Sequence, residues 1–153
     1  MFVAIGVENE TTADAYYCMG IACNKLEEQV YYFAKAFGLY NALEIESECA
    51  ANTCYNLGNI CDNIEQERDY YVKALEIYEK LKIENINTAN TYYNLGVISE
   101  DIEEAQENYK NAIEVYSRLR IENTITALAY NNIGTTCEDI KEQDVLRQGV
   151  GDI

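Results

Sequence analysis

Thr88 to Gly134, TANTYYNLGVISEDIEEAQENYKNAIEVYSRLRIENTITALAYNNIG, holds one complete copy of the unit from which this chain is built, and the opening of the next. Its glycines set the period. Gly20, Gly58, Gly96 and Gly134 stand 38 residues apart, and a fixed period of about 20 to 50 residues marks a solenoid of stacked units. Other columns keep the same step: Leu26, Ile64, Ile102 and Ile140; Phe33, Tyr71 and Tyr109; Ala36, Ala74 and Ala112; Tyr40, Tyr78 and Tyr116; Leu43, Leu81 and Leu119; Ile45, Ile83 and Ile121. Tyr109, Ala112, Ile113, Tyr116 and Leu119 lie on one stripe of a helix, and Tyr92, Leu95, Gly96 and Ser99 follow the same helical spacing. Each copy therefore reads as a short helix followed by a longer one. The chain as a whole reads as an all-α solenoid of antiparallel helix pairs.

These residues carry a resemblance. Tyr92-x2-Leu95-Gly96-x2-Ser99, followed by Ala105, Tyr109 and Ala112, resembles the tetratricopeptide repeat signature from about Thr12 to Gly134. The resemblance implies a right-handed superhelix. Gly96 to Ala105 is about three residues shorter than usual in that family, and Ala112 to Gly134 about seven longer. The second helix is thus expected to gain about two turns, with a changed curvature.

A chain of 153 residues, 48% apolar, suits one domain. The expected layout is a leader over residues 1–10, a repeat domain over 11–139 with units at about 13–50, 51–88, 89–126 and 127–148, and a capping helix with a tail over 140–153. The leader, MFVAIGV, lacks the basic start of a signal peptide and the length of a membrane span. The net charge of −16, with no histidine, disfavours nucleic acid and anionic membrane surfaces as partners, because their phosphates would be repelled.

Boundaries follow from capping chemistry. The first helix is expected to start at Thr11 or Thr12 and to end near Cys23, and the second to run from Leu26 to about Glu46. The links Asp62-Asn63, Glu100-Asp101 and Glu138-Asp139 each end in a cap residue, with Gln66, Glu104 or Glu142 three positions later. Between units, Ser47, Asn87 or Thr88, and Thr124 or Thr126 are the expected caps. Past Gly134 the pattern decays, because Gln143 and Arg147 replace the columns of Ala105 and Tyr109.

The chain has six cysteines, and Cys23, Cys61 and Cys137 share a column with Ser99. The reading is of small, inert packing residues in a reducing cytosol. No Cys-x2-Cys pair and no histidine is present to build a zinc site or to activate a thiolate. With no phosphate loop and no Ser-His-Asp set either, the chain reads as non-catalytic, with no metal or cofactor.

Function is expected on the outward face of the short helices. Asp14, Asn52 and Asn90 form one column there, Tyr17, Tyr55 and Tyr93 the next, Asn56, Asn94 and Asn132 a third, and Asn59 begins a fourth. These columns lie on one helical face. In tetratricopeptide proteins that face lines a concave groove, so the resemblance implies that these residues hold a peptide or helix of a partner protein. Asn offers both donor and acceptor to a peptide backbone, and Tyr offers flat area with a polar tip. The face lacks the cations with which related domains hold acidic chaperone tails, having Tyr17 and Ile21 at the matching positions. A neutral or basic partner is therefore expected. The competing expectation is a regulatory sensor domain that binds a small peptide or responds to oxidation or metal through its cysteines. A further alternative is that Asn56, Asn94 and Asn132 merely bond neighbouring helices.

Overall fold

The structure, a computed structural model, describes residues 8–121 and 123–149, with side chains as far as Thr136. The expected leader therefore lies outside the described residues except for its last three positions. The end of the tail, the side chains of Cys137, Ile140, Gln143 and Arg147, and all of Gly151 lie outside them as well.

All regular structure among the described residues is helical: α1 Glu10–Ala22, α2 Leu26–Ala42, α3 Glu48–Asn59, α4 Ile64–Leu81, α5 Ile86–Ile98, α6 Ile102–Arg118 and α7 Thr124–Gly149. Short and long helices alternate, at 13, 17, 12, 18, 13 and 17 residues, before the 26-residue α7. This is an all-α helical repeat fold. Where the sequence predicts one domain, the chain separates between the second and third copies into two compact units, one ending at Ile83 and one beginning at Glu84. Repeats touch mainly their neighbours, so a division at a repeat boundary breaks no element.

The period is written into the caps. The short helices begin after Asn9, Ser47, Asn85 and Asn123, four positions 38 residues apart, and each side chain accepts the backbone N–H three residues on. The expected caps at Thr11 or Thr12, Asn87 or Thr88, and Thr124 or Thr126 are corrected by one to three residues; only Ser47 stands as expected. The reason is the cap's geometry. At 9, 85 and 123 an Asn reaches the third N–H, and the threonine there (Thr12, Thr88, Thr126) hydrogen-bonds back to that Asn. Asn63 and Asp101 cap α4 and α6 in the same way, as the sequence implies.

The long helices also end in phase. Glu44, Lys82 and Arg120 adopt φ of 53°, 55° and 55°. The N–H of the next residue reaches back five positions, Ile45 to Tyr40, Ile83 to Tyr78 and Ile121 to Tyr116, at 2.9, 2.8 and 2.9 Å. This is a Schellman ending with an ordinary side chain where glycine is usual. It closes α2 at Ala42, about four residues before the expected end near Glu46. It also makes a sharp exit in a chain without proline.

In the first unit, α1 pairs with α2 and α3 with α4. Ala13, Ala36, Ala51 and Ala74 are fully buried, so paired helices approach closely, and Phe33, Tyr40, Tyr71 and Tyr78 fill the space beside them. Gly20 and Gly58 lie beneath an aromatic ring. A Cβ on Gly20 would stand 2.6 Å from Phe33, and one on Gly58 2.5 Å from Tyr71. The periodic glycine is thus the floor on which the next helix sets its ring. Gly38, by contrast, has open space around it and is simply tolerated.

In the second unit, α5 pairs with α6, and Gly96 sits under Tyr109 in the same way. Ala89, Ala112, Val115 and Tyr116 form one cluster, and Ala105, Tyr109 and Ala129 join α6 to α7. Here the structure corrects the sequence reading, because α7 does not turn at Glu138-Asp139. It runs unbroken from Thr124 to Gly149, so the expected separate capping helix from Ile140 is its second half. The turn signal is present, but the copy lacks the aromatic and the alanine that would reward folding back.

Two periodic apolar columns prove to be surface in the first unit, whereas in the second Ile102 and Leu119 are half-buried and Leu119 packs against the Ala89 cluster. Leu26 and Ile64, each the first residue of a long helix, are 58% and 64% exposed, and Leu43 and Leu81 are also exposed. A repeated position need not be core; here it marks helix ends.

Candidate functional site

The nine residues singled out from the sequence fall on the short helices: Tyr17 on α1, Asn52, Tyr55, Asn56 and Asn59 on α3, Asn90, Tyr93 and Asn94 on α5, and Asn132 on α7. All are half-buried except Asn59, which is exposed. The first five belong to the first unit and the other four to the second.

In the first unit, the buried Tyr78 hydroxyl donates to Asn52 Oδ1 at 2.5 Å, and Tyr71 donates to Asn59 Oδ1 at 2.9 Å. Tyr40 donates likewise to Asp14 Oδ1 at 2.6 Å. A carboxylate in this column can only accept, which fixes the tyrosine as donor and, by the repeat, the orientation of the Asn52 amide. The Tyr17 hydroxyl is also hydrogen-bonded to the Asn52 side chain. Burial, with Cys49 nearby, raises the Tyr17 pKa despite that bond. Asn56 Nδ2 donates to the Asn52 backbone carbonyl at 2.8 Å, one turn earlier in its own helix.

The second unit repeats the scheme. Tyr116 donates to Asn90 Oδ1. Asn132 is hydrogen-bonded to Tyr109, whose pKa burial raises. The pairs 14 and 40, 52 and 78, and 90 and 116 all keep a 26-residue separation, so this pin is part of the repeat. Asn52, Asn59, Asn90 and Asn132 therefore already serve the fold, each holding a tyrosine of a long helix.

What the face adds to this frame is an outward ring on each of α1, α3 and α5, in one repeat column, the tyrosine row. Tyr17 packs on Phe33 at 6.2 Å and 42°, Tyr55 on Tyr71 at 6.3 Å and 41°, and Tyr93 on Tyr109 at 5.8 Å and 47°. In each copy the outer tyrosine is held at nearly the same tilt by the core ring that covers the repeat's glycine. The rim carries Asp62 in the first unit and Glu100 and Asp101 in the second, all exposed; the side chains of Glu138 and Asp139 lie outside the described residues.

The cysteine column differs from the sequence reading. Cys23 and Cys61 are half-buried turn residues rather than packing between helices. Cys61 Sγ lies 3.8 Å from Gln66 Oε1, where Ser99 Oγ donates to Glu104 Oε2 at 2.6 Å and Cys23 hydrogen-bonds to Glu28. This column clamps the link to the following helix. Cys54 alone among the described cysteines is buried, its pKa pushed up to about 12 by desolvation, whereas Cys18 is exposed. Among the described residues no cluster of three or more metal-ligating side chains forms, and no helix is long and apolar enough to cross a membrane.

The fold defines a helical-repeat protein. A scan against family models found no match, and none of the curated proteins matched. Among solved structures, the crystal structure of BtubC (BKLC) from P. vanneervenii is similar, with a TM-score of 0.66 at 17% identity over 92% of this chain. The chain spans 65% of the length of that one. At this identity the likeness is one of fold.

Proposed function

We propose that this chain is a non-catalytic, tetratricopeptide-like interaction scaffold, and that the outward tyrosines of its short helices, Tyr17 and Tyr55 in the first unit and Tyr93 in the second, hold extended peptide of a neutral or basic partner protein. The observation that carries this reading is the repeated ring pair. Half-buried Tyr17, Tyr55 and Tyr93 are each braced on a core ring within 41° to 47°, so their faces are ordered before any partner arrives and little side-chain entropy is left to lose. A tyrosine face attracts a cation as well as apolar groups, and the −16 charge of the chain favours the same partners.

The test is an array of extended peptides of graded charge, probed with the parent chain and with Tyr55→Ser, Tyr93→Ser and Asn94→Ala. Basic and neutral peptides are expected to bind with micromolar affinity, to weaken with added salt, and to lose about tenfold with each tyrosine change while the circular dichroism spectrum is kept. Binding that prefers acidic peptides, or that ignores all three substitutions, overturns the proposal.

A further inference from the structure

Gly20, Gly58 and Gly96 each lie under a ring that the next helix supplies, from Phe33, Tyr71 and Tyr109. Gly134 occupies the same repeat position on α7, yet, apart from the adjoining backbone of its own helix and its chain neighbours, no atom among the described residues lies within 4 Å of where its Cβ would be. One turn earlier on that face Tyr130 is 60% exposed, while Cys54 at the same repeat position is buried and Tyr92 half-buried. Both features have one cause. α7 continues through Asp139 to Gly149, so among the described residues no helix doubles back over it. The sequence explains the omission, because Arg147 stands where the ring belongs, and an arginine set on a glycine floor would leave water for an apolar seat.

We infer that this uncovered face of α7, floored by Gly134 and walled by Tyr130, is a docking site for a basic helix of a partner protein that inserts one aromatic side chain over Gly134. The three filled seats of this same chain specify the occupant: an aromatic residue followed three positions later by alanine, as in Phe33 and Ala36, Tyr71 and Ala74, and Tyr109 and Ala112. Charge sets the rest. The chain carries −16 overall, and Glu138, Asp139, Glu142 and Asp144 follow the seat with only Lys141 among them. A second copy would bring the same negative charge, whereas a helix with lysines on its outer side is attracted. The site is on the side of α7 opposite Asn132, which is hydrogen-bonded to Tyr109 of α6; the position of the tyrosine row in this copy, three residues before the glycine, is Asn131, so no tyrosine of that row stands on α7.

The probe is a fluorescent synthetic helix of about five turns carrying aromatic-x2-Ala and outward lysines, titrated into the full chain and followed by anisotropy. Micromolar binding is expected, with a loss of about tenfold or more for Gly134→Leu, which fills the seat, and for the probe with its aromatic changed to alanine. Replacing a helical glycine by leucine favours the helix, so Gly134→Leu is expected to keep its circular dichroism and melting curve. Tyr55→Ser, in the first unit, is expected to leave this binding unchanged, which separates it from the peptide reading. Equal binding by Gly134→Leu, no binding of the basic probe at millimolar concentration, or a parent dimer that Gly134→Leu makes monomeric each overturns the inference, the last by giving the seat to a second copy.

Discussion

A buried tyrosine hydroxyl needs an acceptor, and three of them here find theirs at the same repeat distance, on Asp14, Asn52 and Asn90. Tyr78→Phe removes the donor and leaves the half-buried Asn52 amide with one partner fewer. The expected cost is about 0.5 to 1.5 kcal/mol, read from urea unfolding against the parent. A second residue-scale effect concerns Cys54, whose thiol stands at about 12 when folded against an ordinary 9.0. Its pKa is raised, so its contribution is whole below about pH 9 and is lost as pH climbs toward 12, because the unfolded chain gives up that proton first. Urea midpoints are expected to fall across that window, and Cys54→Ala is expected to flatten part of the fall. A midpoint curve that Cys54→Ala leaves unchanged would show that burial does not hold that proton. At this scale the columns were legible in the sequence, but not what each does. Asn52 and Asn90 looked like ligands because their partners, Tyr78 and Tyr116, sit 26 residues away on another helix, beyond the reach of local pattern.

Helix type and order were plain from the 38-residue step and the stripe through Tyr109, Ala112 and Tyr116, because close-packed pairs impose period on both partners. The ends were less so. Glu44, Lys82 and Arg120 close the long helices in the left-handed region, and nothing in an ordinary side chain announces that. Lys82→Gly is therefore expected to stabilise by about 0.5 to 1 kcal/mol, since glycine enters that region freely. Thermal melting of Lys82→Gly below the parent would contradict it. The fourth copy was misread for a related reason: Asp139 and Glu142 repeat the turn signal, but a turn forms only where the helix beyond it has something to pack. The glycines make this measurable. Gly96→Ala pushes a methyl into the Tyr109 ring, at an expected cost of about 1 to 3 kcal/mol. Gly134→Ala meets open space and is expected to gain up to about 1 kcal/mol of helix propensity. Calorimetry on the two variants side by side distinguishes them, and equal effects would mean that the ring seats are not alike.

For the whole molecule, charge is the dominant property that sequence alone supplies. A net −16 on 153 residues, offset only locally by ion pairs such as Arg118 to Glu84 at 2.9 Å, leaves the folded chain under self-repulsion. Raising sodium chloride from tens of millimolar to about half molar is expected to raise the melting temperature by screening it. A melting temperature that falls with salt would show that attractive pairs outweigh the repulsion. The tyrosine row was legible as columns in the sequence. Its bracing was not, because each ring pair joins residues 16 apart on two helices.

The phase of the Schellman endings and the asparagine or serine caps has one more consequence. Every copy begins with its own cap and finishes with its own left-handed exit, so residues 47–84 form a cassette with both of its boundary signals inside. Excising them would join Glu46 to Asn85 and place an intact exit before an intact cap, which makes this chain suited to lengthening or shortening by whole copies, by gene duplication as much as by design.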